Sequence, residues 1–318
     1  MLKNTTANDV NISMQANAEI KTSMSCNLPF DPDINLLSDR LRPYQIINGT
    51  EYPMGEYVIA TAPKHRNATS RRYDIEAYDL GHVVMQTRAE TRLSFAAGTK
   101  YLDAVKQLLV TCGIDRLVAT PTALTFAAAR EDWEIGTSYL TIINVLLTEM
   151  GYNTLWFDRN GFARVEPKIR EKTPIIYMPD EYSVISPDTT TTTDIFDAYN
   201  VFTVVVSSPD IPPMVATAVN DSPLSPISTV NRGRRICAPV QYVDGIASQE
   251  QLNEYAENIR YASMQGTETI SFSTLPIPTH QVEERVILES GIYDETGWDI
   301  TLGFGGTYTH TAKKVVQL

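Results

Sequence analysis

The residues of this chain able to do acid–base, nucleophilic or metal chemistry are few and scattered. Four histidines stand at His65, His82, His280 and His310, with no HxxxH spacing and no cysteine beside any of them. Neither a zinc centre nor an imidazole-dependent active site is therefore expected. Cys26, Cys112 and Cys237 form no CxxC pair. Cys112 falls on an apolar helical position, where a buried free thiol is expected rather than a ligand or nucleophile. Asp132 and Glu134 flank Trp133 and could act as paired carboxylates. They stand just before an expected helix N-terminus, however, where the macrodipole alone favours acids. "GFGG" at 303–306 follows a strand but has no phosphate-loop lysine and no helix after it, so it reads as a bend or bulge. "NRGRR" at 231–235 could touch nucleic acid, but a loop whose charges pair with nearby acids is the expectation. No catalytic, cofactor-binding or metal-binding constellation emerges, and neither an enzyme nor a cofactor is expected.

The elements that would have to position such residues are better marked. "FAAGTKYLDAVKQLLVTCG" (95–113) and "WEIGTSYLTIINVLLTEMG" (133–151) share one plan, offset by 38 residues. Each runs aromatic, two residues, Gly-Thr, one residue, Tyr-Leu, then a Leu-Leu pair and a closing Gly. In the first copy, with Thr99 as N-cap, Leu102, Val105, Leu108, Leu109 and Cys112 recur at helical spacing up to Gly113. In the second, Thr137, Leu140, Ile143, Leu147 and Met150 do the same up to Gly151. Neither face gathers reactive side chains, so both copies are expected to be packing units.

Around this middle the chain reads as strands. Residues 1–90 alternate in short segments, with Ile20, Thr22, Met24 and Cys26 on one face and turn signals at Asn48-Gly49, Pro53 and Asn67-Ala68. "YNTLWFDRNGFARVEPKI" (152–169) predicts two strands joined at the Asp158–Gly161 turn. "SPDTTTTTD" (186–194) reads as a polar link, "YNVFTVVVSS" (199–208) as a strand, and "PDIPPM" and "NDSPLSPIS" as loops. Ser248 and Gln251 form a capping box for a helix over 248–265, with Leu252, Tyr255, Ile259 and Ala262 facing inward and Gly266 ending it. Strands resume in "TETISFSTL", "HQVEERVILESGIY" and "WDITLGFGGTYTH". The expected class is α+β and β-rich. The predicted plan is a β-barrel-like domain over 1–90, a mixed α/β domain over 91–170, and a second barrel-like domain over 171–318 with the helix inserted.

At 318 residues and 43% hydrophobic content the chain is globular and long enough for several cores. No run of 18 apolar residues occurs, so no membrane span is expected. The first residues lack the apolar centre of a signal peptide, which leads to an expectation of cytoplasmic synthesis. The net charge of −12 is concentrated: residues 171–318 hold 19 acids and 8 bases, giving −11. That imbalance opposes nucleic-acid binding; it is compatible both with a surface past which DNA slides without adhering and with a role in solubility alone.

The order of these motifs resembles one family as a whole. A β-domain leads to the Gly-Thr-x-Tyr-Leu helices and "DRNGFARVEP". "YNVFTVVV", the Asn-Asp-Ser-Pro loop with "NRGRRI", the helix from 248 and "WDITLGF…YTHTAKK" follow. Over roughly residues 10 to 312 this is similar to the baseplate hub family of tailed bacteriophages and related contractile particles. The resemblance implies a homotrimer whose paired barrels give pseudo-sixfold symmetry, joining a six-fold tail tube to a three-fold spike. It also implies residence in the virion tail baseplate after synthesis in the host bacterial cytoplasm. The implied partners are a tail tube or distal tail protein, a central spike or tail-tip protein and the tape-measure protein, with DNA passing through the lumen without specific binding. The alternative in another class is a tail-associated peptidoglycan hydrolase.

Overall fold

A computed structural model describes residues 5–315 except 6, 68–69, 127, 170–172, 174, 177–188, 194–197, 209–210, 244–247, 265–267, 276, 281–283, 289–290 and 304. Its chain divides into two compact units. Met1–Lys172, Leu275–Val282 and Gly297–Tyr308 make the first, and Thr173–Thr274, Glu283–Thr296 and Thr309–Leu318 make the second. Both are built mainly on antiparallel strands with a few helices, a β-rich α+β fold.

The first unit opens with strands β1 (Asn8–Gln15), β2 (Thr22–Pro29), β3 (Arg40–Leu41), β4 (Tyr44–Ile47), β5 (Thr50–Pro53), β6 (Tyr57–Thr61), β7 (Lys64–Arg66) and β8 (Arg71–Asp79). Residues 297–302, β1, β2, β8, β6 and β3 hydrogen-bond in that order, each pair antiparallel. The two-residue period puts Val10, Ile12 and Met14, then Met24, Cys26 and Leu28, then Tyr73, Ile75 and Ala77 on one buried face. Trp298 and Ile300 complete that core. The sequence placed "WDITL" with the last third of the chain; it also hydrogen-bonds to β1, Ile12 facing Ile300. Strands β4 and β5 form a separate hairpin. Asn48 (φ +51°) and Gly49 (φ +81°) both adopt the left-handed backbone that a type I′ turn demands.

Next come α1 (Gly81–Gln86), β9 (Leu93–Phe95), α2 (Tyr101–Thr111), β10 (Leu117–Ala119), β11 (Arg130–Trp133), α3 (Tyr139–Glu149), β12 (Trp156–Phe157) and β13 (Ala163–Val165). Helices α2 and α3 are the two repeat copies. They bury Ala104, Val105, Leu108 and Leu109, and Leu140, Ile142, Ile143, Leu146 and Leu147, in a core of their own. The repeat extends to backbone hydrogen bonds. Gly98 N–H donates to Phe126 and Tyr101 N–H to Leu124, while Phe126 N–H donates to Thr99. Gly136, Tyr139 and Ala89 repeat this pattern with Ala89, Thr87 and Thr137 as acceptors. An extended segment of the chain thus satisfies each helix start. This corrects the expected Thr caps, since the N-cap positions are Lys100 and Ser138 and neither side chain caps. The aromatics that open the copies meet as well. Strands β9 and β11 pair, and Phe95 and Trp133 pack edge to face at 6.0 Å.

The second unit contains β14 (Ile175–Ile176), β15 (Thr190–Thr193), β16 (Val201–Ser208), β17 (Ile211–Val219), α4 (Thr229–Arg232), β18 (Gln241–Val243), α5 (Gln249–Met264), β19 (Glu268–Thr274), β20 (Arg285–Leu288), β21 (Gly291–Leu302, up to Thr296) and β22 (Tyr308–Lys314, from Thr309). Helix α5 packs on β16 and β17, with Leu252, Ala256 and Met264 buried. Ser248 accepts from Gln251 N–H at 3.3 Å, as the capping box requires. Ala262, expected inside, is exposed, and Gly266 lies outside the described residues.

Two loops expected in this region are strands. Thr190–Thr193 pairs with β19 from Thr190–Ser271 to Thr193–Glu268, because β-branched residues fit a pleated strand whatever their polarity. "IPPM" belongs to β17, with Pro212 and Pro213 at the register shift between Val206–Met214 and Ser208–Ile211. A bulge asks no ladder hydrogen bond of them.

Candidate functional site

Several of the residues singled out for chemistry stand apart in the fold. His65 pairs with Asp74 at 2.8 Å on an exposed strand, and His82, in α1, stacks on Tyr78 of β8. His280, in the first unit, packs edge-on to Tyr308. Cys26 and Cys112 are buried free thiols and Cys237 is exposed. Burial pushes the Cys26 thiol up to about 11, and it also raises Cys112 against a weaker bond from Thr87. Neither is a ready nucleophile. Asp132 lies within strand β11 rather than before a helix, and Glu134 is exposed. "GFGG" links β21 to β22, with φ +153° at Gly303 and +78° at Gly305.

"NRGRR" differs from expectation. Among the described residues, Arg232, Arg234 and Arg235 make no ion pair. The motif instead closes a polar loop knot: Asn200 Nδ2 donates to the carbonyls of Ile227 and Arg234, and Asn200 Oδ1 accepts from Ile236 N–H at 2.7 Å. Asn220 Nδ2 donates to Ser225 Oγ nearby, and Asn200, Asn220 and Ser225 are all fully buried. Sealed polar groups with partners fix one loop conformation.

In the second unit, one histidine has the connectivity of a hydrolase triad. His310 Nδ1 lies 2.6 Å from Glu295 Oε1, and its Nε2 lies 2.8 Å from the Thr274 hydroxyl. Phe272 stacks on the imidazole at 4.7 Å. The relative exposures are 5% for Thr274, 1% for Glu295 and 0% for His310. A nucleophile must meet a substrate carbonyl, and this hydroxyl is sealed. The arrangement reads as a satisfied core network.

The first unit holds a different constellation, absent from the sequence reading. A pocket of about 430 Å³ is lined by Arg42, Tyr44, Pro53, Gly55, Arg116, Arg159, Asn160 and Phe162. Three elements build it. The base of the β4–β5 hairpin supplies Tyr44 and Pro53, the position just before β10 supplies Arg116, and the turn from Asp158 to Gly161 brings Arg159 and Asn160. Asp158 Oδ1 accepts from the N–H groups of Asn160 and Phe162, fixing the turn, and Gly55 N–H donates to the Arg159 carbonyl. Gly161 is at φ +76°, and a Cβ there would lie 2.9 Å from Glu56 and 3.0 Å from Arg116. Only glycine serves both the turn and this close approach.

Below the pocket sits Glu56, with its side chain 1% exposed. Arg40 reaches Oε1 at 2.8 Å, Arg42 reaches Oε2 at 2.7 Å, and Arg116 also bonds Oε2. Burial raises the carboxyl pKa, but the bonds from Arg40 and Arg116 and the charges of Arg116 and Arg42 outweigh it, and the net pKa is lowered. Arg116 also donates to the Asn160 carbonyl and lies 5.4 Å from the Phe162 ring centre. Arg159 donates to the Pro278 carbonyl, and among the described residues it has no carboxylate partner. The signals for this site in the sequence were the Asp-Arg-Asn-Gly turn and the Arg40-Leu-Arg42 spacing, neither of which names the other.

No protein-family model matches the chain, and no curated protein matches it. Solved structures do. A tail protein from Neisseria meningitidis MC58 is similar at 15% identity and TM-score 0.70, over 96% of this chain and 91% of that one. The 43 kDa tail protein of prophage MuSo2 from Shewanella oneidensis is similar at 10% identity and TM-score 0.70, over 98% and 94%. A component of the E. coli type VI secretion system, described as structurally similar to the T4 bacteriophage tail proteins gp27 and gp5, matches at 9% identity and TM-score 0.55, over 99% and 75%. At such identities the likeness is one of fold, and over nearly its whole length this chain has the fold of phage tail proteins.

Proposed function

We propose that this chain is a structural hub protein of a phage tail or tail-like baseplate. Three copies form a ring that joins a six-fold tail tube to a three-fold central spike and encloses the channel for DNA and the tape-measure protein. The observation that carries this reading is end-to-end fold similarity: about nine-tenths or more of both this chain and two tail proteins align. The motif order from the Gly-Thr-x-Tyr-Leu helices to "YTHTAKK" supports it independently. Two barrel-like domains per chain, one in each compact unit, would let heterologous contacts close after three chains while presenting six similar surfaces. The buried Thr274–His310–Glu295 chain favours structure over hydrolysis, since its hydroxyl is sealed. Mass measurement by light scattering, with electron microscopy of assembled tails, tests the proposal. A trimeric mass or a three-subunit ring at the tail tip is expected. A stable dimer or tetramer with no such ring overturns it.

A further inference from the structure

We propose that the pocket formed by Arg42, Arg116 and Arg159 binds an oxyanion, a phosphate or carboxylate group held by three converging guanidinium groups. The argument is one of charge and donors. Guanidinium stays protonated at any physiological pH. Among the described residues, the one carboxylate bonded to this group is Glu56, and Arg40, Arg42 and Arg116 already share it. With Arg159, four cations stand against one buried anion, and no acidic residue among the described ones lines the pocket. The chain as a whole carries −12, so this local excess of positive charge runs against its general composition.

The donors point the same way. Arg116 spends one bond on Glu56 and one on the Asn160 carbonyl, Arg42 one on Glu56, and Arg159 one on the Pro278 carbonyl. Among the described residues, most of their N–H groups have no protein acceptor. Guanidinium forks match the oxygen spacing of carboxylate and phosphate. The pocket is also preorganised. Glu56 anchors Arg42 and Arg116 from below, the Phe162 ring lies against Arg116, and the Asp158 turn fixes Arg159. Tyr44 and Phe162 form apolar walls, so the oxyanion can be carried on a larger molecule. This assignment stands apart from the tail reading and needs no oligomer.

The test uses the full chain and measures melting temperature and calorimetric binding with sodium phosphate, sodium sulfate and sodium citrate. Sodium chloride at matched ionic strength is the reference. Saturable stabilisation beyond chloride is expected. Preference for phosphate and sulfate assigns the site to phosphate groups, and preference for citrate assigns it to carboxylates; either supports the proposal. Arg42→Gln and Arg159→Gln, each shown folded by circular dichroism, should weaken binding by about tenfold or more, as loss of a charge-assisted forked contact does. Arg72→Gln, on exposed β8, should bind like the parent. If no anion exceeds chloride, or if both pocket variants bind as tightly as the parent, the assignment falls.

Discussion

Two buried carboxylates show how environment alone sets opposite behaviour for one chemical group. Glu56 is held by guanidinium groups that lower its pKa below the ordinary 4.5 despite burial. Its stabilisation is therefore fully present above that value and is lost as pH falls through the lower folded value. Glu56→Gln leaves three arginines crowded round a neutral amide. It should cost about 2 kcal/mol by urea denaturation at pH 7, less than a fully buried pair because the arginines are partly solvated. Asp79 is the reverse case. It accepts backbone N–H bonds from Gly81 and Thr22, fixing the start of α1 and of β2. Burial still dominates and pushes its pKa from 3.8 up to about 6, against those bonds and the charge of Lys21. An acid with a raised folded pKa takes up protons on folding, so stability declines as pH rises from about 4 to about 6. The expected fall is about 3 kcal/mol. In Asp79→Asn that slope should vanish from a series of denaturation midpoints between pH 4 and pH 7. A slope unchanged in the variant would show that other groups cause it.

At the scale of elements, the repeated helices are held by packing and by strand-like approach segments rather than by their own ends. Leu108 and Leu147 both lie in the shared core and are 2% and 0% exposed. Leu108→Ala and Leu147→Ala should each cost about 2–5 kcal/mol, with the larger loss where the core relaxes less around the void. Melting temperatures equal to the parent's in both variants would show that these faces are not core. The period of apolar residues, the closing glycines at Gly113 (φ +74°) and Gly151 (φ +72°) and the hairpin at Asn48-Gly49 were all legible in the sequence. Each is a local matter of three or four residues. The helix starts were not legible, because the acceptors for Tyr101 and Tyr139 come from Leu124 and Thr87. A Thr-rich segment read as a link for a similar reason: whether "TTTT" is coil or strand depends on whether a partner strand, here β19, lies alongside.

For the whole molecule, the acidic excess of residues 171–318 bears on the proposed conduit. With 19 acids against 8 bases, most carboxylates must be solvated. In an assembled ring, a substantial group of them is expected to face the lumen, where like charge keeps DNA from adhering because counterion release needs lysine and arginine. The position of these carboxylates relative to the ring axis, seen by electron microscopy of assembled particles, checks this. If nearly all point outward, or if Arg232, Arg234 and Arg235 line the channel instead, the non-stick role fails.

The amino-acid sequence by itself determined the β-rich α+β class, the face that Met24 and Cys26 share in β2, the paired helical units and the turn from Asp158 to Gly161. All of these follow from side-chain period and backbone preference over a few neighbouring residues. Only the tertiary structure decided that residues 297–302 pair with β1, that Glu56 draws three arginines to itself, and that Arg159 arrives beside Arg42 and Arg116. The physical reason is distance along the chain. A charge cluster assembled from residues 42, 56, 116 and 159 leaves no local spacing to read, and its energy exists only once the strands and turn that carry it have been brought together.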